Sequence, residues 1–74
     1  MTKGQKIVKQ LLDDGCKSVE TSSKKYHKLS HLNLDRYIYI GKNGAVRYGK
    51  NISDSMSLNF SVIQAKIYNG RNKK

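Results

Sequence analysis

The chain has no proline, no tryptophan and one cysteine, Cys16, among its 74 residues. A lone cysteine excludes an internal disulfide and a thiolate metal cluster within one chain, so Cys16 reads as a small core residue and no metal or cofactor is expected. No apolar run approaches the roughly 18 residues of a membrane span, and no signal-peptide pattern is readable, so neither is expected. The expectation is a cytoplasmic protein that does not meet a membrane. Acidic residues are scarce too. Asp13, Asp14, Glu20, Asp35 and Asp54 stand against fifteen Lys and Arg, a formal charge of +10. That excess goes well beyond what solubility needs and attracts polyanions, nucleic acid being the commonest.

Without a visible linker or repeat, residues 1–74 read as one small basic domain. Thr2 and Gln5 fit a capping box, each side chain able to satisfy the other's free backbone N–H. Ile7, Val8, Leu11 and Leu12 recur at helical spacing, and Gly15 suits the left-handed residue that ends a helix, which predicts a helix over 3–14. Residues 16–21 and 26–32 are β-leaning pieces around a polar turn at 22–25, and a further strand covers 36–41. Met56 to Val62 alternates apolar and polar as a strand does, yet Met56, Phe60, Ile63 and Ile67 also form a helical stripe. With Ser53 or Asp54 as cap and Asn69-Gly70 as stop, a helix over about 55–69 is favoured. Residues 71–74 read as a flexible basic tail. The fold class is α+β: a small two-layer sandwich of N-terminal helix, three- to four-stranded antiparallel sheet and C-terminal helix.

The segment "RYIYIGKNGAVRYGK", residues 36–50, holds three tyrosines and four cations and no carboxylate. Asn43-Gly44 predicts a two-residue type I′ turn. That register sets Ile40 against Arg47 and Tyr39 against Tyr48. Tyr37, Tyr39, Val46, Tyr48 and Lys50 would then share one side, and Arg36, Ile38, Ile40, Lys42, Ala45 and Arg47 the other. Two helices cover only one side of a small sheet. Isoleucines cost less to desolvate than tyrosines, so the favoured arrangement buries Ile38 and Ile40 and leaves the three tyrosines as a stacking platform for unpaired bases. The opposite arrangement would present Arg36, Lys42 and Arg47 to phosphates or a major groove. Lys42, Arg47 and Lys50 serve in either case, with Lys24 and Lys25 nearby. Gly41, Gly44 and Gly49 flank a β-turn rather than a strand-to-helix junction, so they do not form a phosphate-binding loop.

His27 and His31 are the only histidines, and in a strand they would lie about 13 Å apart, too far to share a metal or relay a proton. No carboxylate is placed in sequence to orient His27 as a general base, and the chain reads as a non-enzyme. The order of elements is similar to that of double-stranded-RNA-binding domains and of small messenger-RNA-cleaving toxins. Residues 53–57 nevertheless lack the lysines of the first, and residues 22–27 lack the Gly-Ser-His of the second. The expected function is non-enzymatic binding of DNA or RNA through the 36–50 hairpin, as in small basic regulators of phages and mobile elements. The alternative is an inhibitor that presents the same cations to an acidic protein surface, such as the nucleic-acid channel of a nuclease. Leu58, Val62 and Ala65, on the far side of the second helix, are a candidate homodimer seam.

Overall fold

The computed structural model describes residues 2–21 and 25–72, the last three as helical backbone. The elements run α1 (Lys3–Asp13), β1 (Lys17–Val19), β2 (Tyr26–Ser30), β3 (Tyr37–Gly41), β4 (Val46–Gly49), β5 (Ser55–Ser57) and α2 (Phe60–Asn72). Strand order in the antiparallel sheet follows chain order, β1-β2-β3-β4-β5, and both helices pack on one face. The α+β sandwich expected from the sequence is present, with five strands instead of three or four.

α1 begins as its sequence dictates. The Gln5 amide donates to the Thr2 hydroxyl at 3.1 Å, and the Thr2 amide donates to the Gln5 side chain at 2.9 Å. Two of the helix's orphan donors are thereby satisfied. After α1, Gly15 takes the left-handed conformation at φ 102°. Leu11 of α1, Leu29 of β2, Ile38 of β3 and Ile63 of α2 are completely buried, joined by Cys16, Ile40, Val46 and Ile67. Each large side chain so buried is worth about 1.5–3 kcal/mol, and together they make the one core that a chain of this size can build. Burial pushes the Cys16 thiol up to about 11, with the nearby Asp14 carboxylate adding to the effect, so it stays a protonated, inert group.

His31 ties the two helices to the sheet. The Asn33 amide donates to its Nδ1 at 2.9 Å, leaving Nε2 protonated to donate to the Asp14 carbonyl at 3.1 Å. The Asn33 side chain then donates to the Ile67 carbonyl of α2 at 3.0 Å. One loop thus satisfies backbone groups on both helices.

The β3–β4 turn differs from the two-residue form. Gly41 donates to the Ala45 carbonyl at 2.8 Å and Gly44 to the Gly41 carbonyl at 3.0 Å, so Lys42-Asn43-Gly44 is a three-residue loop. Only Gly44 needs positive φ, at 90°. The Asn43 side chain instead accepts from the Ala45 amide at 3.2 Å, the local bond by which asparagine favours turns without entering the left-handed region. α1 seats directly on this loop: the Gly4 amide donates to the Lys42 carbonyl, and a Cβ at Gly4 would run into the Gly41 carbonyl oxygen.

That extra loop residue shifts the register by one. Ile40 opposes Val46, Tyr39 opposes Arg47 and Ile38 opposes Tyr48. A one-residue slip moves every side chain of one strand to the other face. Val46 and Tyr48 therefore lie with Ile38 and Ile40 under the helices, and Arg47 lies with Tyr37 and Tyr39 on the open face, reversing the sides expected for all three.

The 55–69 segment also divides. Ser55–Ser57 pairs with β4, the Leu58 amide extends the ladder to the Val46 carbonyl, and α2 starts only at Phe60. The strand alternation and the helical stripe were both real, one after the other. α2 continues past Asn69-Gly70 to Asn72, so Arg71 and Asn72, read from the sequence as the start of the tail, are helical, while Lys73 and Lys74 lie outside the described residues.

Candidate nucleic-acid interface

One rung of the open face crosses all five strands: Val19, Lys28, Tyr39, Arg47 and Ser57. Tyr37 sits beside it, opposite Gly49, which in turn opposes Ser55. Lys17 lies two residues before Val19 and points the same way. No strand contains an Asp or Glu, so the cations of this face have no carboxylate among their strand neighbours. Cations without a carboxylate beside them keep more of their attraction for an incoming anion.

The three tyrosines have three different roles. Tyr37 is 36% exposed, and the Lys28 ammonium stands 4.0 Å from its ring centroid, a cation–π contact that fixes charge beside the ring. Tyr39 shares the face yet is only 2% exposed, and its hydroxyl donates to the Lys50 carbonyl at 3.3 Å. It supports the surface and offers no ring to a base. Tyr48 lies on the helix side, where its hydroxyl donates to Asp35 Oδ1 at 2.9 Å and the Lys66 ammonium stands 5.5 Å from its ring. That hydrogen bond, above all, holds the Asp35 carboxyl below its usual range. Burial, with Asp35 beside it, pushes the Tyr48 hydroxyl up, so it remains a donor at neutral pH. The expected three-ring platform is therefore reduced to Tyr37.

Arg47 is half-buried and committed. Its Nε donates to Ser55 Oγ at 2.9 Å and its Nη2 to the Ser55 carbonyl at 2.8 Å, tying β4 to β5. Its positive charge stays on the open face while its donors serve the fold. Lys50 and Arg36 are exposed at the end of the sheet from which β3 starts and at which β4 ends. Lys25 and Lys42 are exposed at the other end, where, with Lys9 of α1, they rim a groove of about 730 Å³ floored by Val8, Leu12 and Ile40. Lys24 lies outside the described residues. Lys17 and Lys28 were not picked out from the sequence. Their alternation with buried neighbours is visible there, but which side they share with Tyr37 depends on strand pairings that no local signal specifies.

His27 Nε2 lies 2.9 Å from the Ser18 hydroxyl, a cross-strand contact. Among the described residues, no helix is long and apolar enough to cross a membrane. No known protein family, curated protein or solved structure matches the chain.

Proposed function

We propose that this chain is a non-enzymatic, cytoplasmic nucleic-acid-binding protein that lays a single strand across the open face of its sheet. The observation that carries the reading is the cluster of Lys17, Lys28 and Arg47 around Tyr37, on a sheet whose strands hold no carboxylate. Five strands about 4.8 Å apart make a face about 20 Å wide, enough for several nucleotides. Tyr37 supplies the stacking surface, and the lysines with Arg47 supply the phosphate contacts. Lys25 and Lys42 beyond one end of the β-strands, and Arg36 and Lys50 beyond the other, flank that path with positive charge.

Fluorescence anisotropy with short single-stranded and duplex DNA and RNA, titrated at several salt concentrations, tests the reading. Single strands should bind more tightly than duplexes. Log affinity should fall linearly with log salt, with a slope of about −0.7 for each phosphate neutralised. Weak binding without strand preference, gone near physiological salt, would overturn the reading and turn attention to an acidic protein partner.

A further inference from the structure

The groove of about 730 Å³ lies beside α1, on the side of the sheet that the helices cover. Small-ligand sites are clefts of about 300–1,000 Å³ with mostly apolar walls and a few polar groups, and this one has that make-up. Its floor is hydrocarbon: Val8 and Leu12 of α1 and Ile40 of β3. Leu12 is left 42% exposed there. Its rim carries charge of one sign. Lys9, Lys25 and Lys42 are exposed around it, and among the described residues that line it there is no Asp or Glu. Glu20, which follows β1, is not one of them.

The groove also has two unlike ends. α1 begins against the β3–β4 loop, where the Gly4 amide donates to the Lys42 carbonyl. Lys25 directly precedes β2, whose first residue, Tyr26, pairs with Gly41. Lys25 and Lys42 therefore mark the end at which α1 starts. From Gly4 to Leu12 the helix advances about 12 Å, so the apolar floor extends away from those two cations. The other polar side chains are largely occupied: Thr2 and Gln5 bond to each other's backbone amides, and His27 Nε2 lies 2.9 Å from the Ser18 hydroxyl. A nucleobase or sugar on this floor would leave its polar edge unmatched, which is costly. A hydrocarbon chain has no such edge.

We propose that the groove binds a single-chain amphipathic anion of the fatty-acid type, with its carboxylate between Lys25 and Lys42 and its chain along Val8, Ile40 and Leu12. The occupant follows from complementarity at both ends. Cations without a carboxylate beside them favour an anionic head, and the chain and the floor remove each other's hydrocarbon from water. This site shares only Lys25 and Lys42 with the proposed path of nucleic acid, so the two readings fail separately.

Proton–nitrogen NMR of the full chain, titrated with straight-chain carboxylates from hexanoate to tetradecanoate below their micelle concentrations, tests the proposal. Saturable shifts should centre on Val8, Leu12 and Ile40 and spare Tyr37 on the open face. Affinity should rise about twofold to fourfold with each added methylene and level off once the chain outgrows the groove. Alcohols of the same length should bind about fivefold more weakly, because they offer the lysines no charge. Leu12→Gln should weaken acid and alcohol alike, by about tenfold. Lys42→Ala should weaken the acid alone, by about twofold to fivefold. The absence of saturable shifts in the unsubstituted chain would overturn the proposal, as would shifts centred on Tyr37 and Lys28, alcohols that bind as well as acids, or unchanged affinity in both folded variants. Binding to anionic lipid vesicles without binding of the monomeric acids would overturn it too, by assigning these cations to a membrane surface.

Discussion

Residues 36–50 and residues 51–65 are adjacent and equal in length, yet the first carries Arg36, Lys42, Arg47 and Lys50 with no carboxylate, and the second carries Asp54 with no cation. Both contribute strands to one sheet and residues to one core. The difference lies in what each leaves outside. The hairpin turns charge and a ring toward solvent, while the following stretch turns out methionine, valine and serine. Charge placement in so small a protein thus separates a cation-rich stretch from one whose own side chains carry no positive charge.

Substitutions can break or sharpen this contrast. The largest effect should come from Tyr39→Ala, which empties a buried site beneath the cationic face and should cost about 3–5 kcal/mol in denaturant unfolding. A change below about 1 kcal/mol would show that the ring is not a support. Arg47→Ala should cost about 1–2 kcal/mol, since it cuts both bonds joining the hairpin to Ser55, and it should also flatten the salt dependence of nucleic-acid binding. An unchanged thermal midpoint would mean that the tie to β5 carries no load. Tyr37→Ala should leave the midpoint nearly unmoved while weakening single-strand binding by about 1 kcal/mol or more, and duplex binding less. Equal losses on both would place phosphate contact above stacking.

The smallest effect is one of titration. Asp35 is held low chiefly by the Tyr48 hydroxyl. A carboxyl lowered in the folded state adds stability above its ordinary pKa, and that contribution is lost as pH falls through the acid range. Tyr48→Phe should move the Asp35 titration, followed by carboxyl NMR, back up toward 3.8 and shrink the acid-side loss. A titration that stays where it was would assign the shift to the backbone hydrogen bond at Asp35, with Arg36 and Lys66, instead.

Where one local interaction decides structure, the sequence was readable: the Thr2–Gln5 capping box, the position of the Asn43-Gly44 turn and the burial of Ile38 and Ile40 all follow from it. The register did not, because asparagine next to glycine suits two turns that differ by one residue. Asn43 chose the one that uses its side chain as an acceptor. The start of α2 was hidden because Met56 falls in line with Phe60, Ile63 and Ile67 by spacing alone, although it projects from a strand. At the candidate interface, the cations of the hairpin were legible, but Lys17 and Lys28 join them only through pairings across β1, β2 and β3. The separate fates of Tyr37, Tyr39 and Tyr48 depend on the same register and on the reach of a hydroxyl to Lys50 or Asp35.

Strand order in this sheet is chain order, and that has a consequence in time. Every ladder joins segments that leave the ribosome in succession, so loop closure is short throughout and the sheet can assemble quickly as it is made. Ile63 and Ile67, which seal the core, lie in α2, after all five strands. The nascent sheet therefore waits with Leu29, Ile38 and Val46 uncovered until α2 is released, and that interval is when the chain is most open to aggregation.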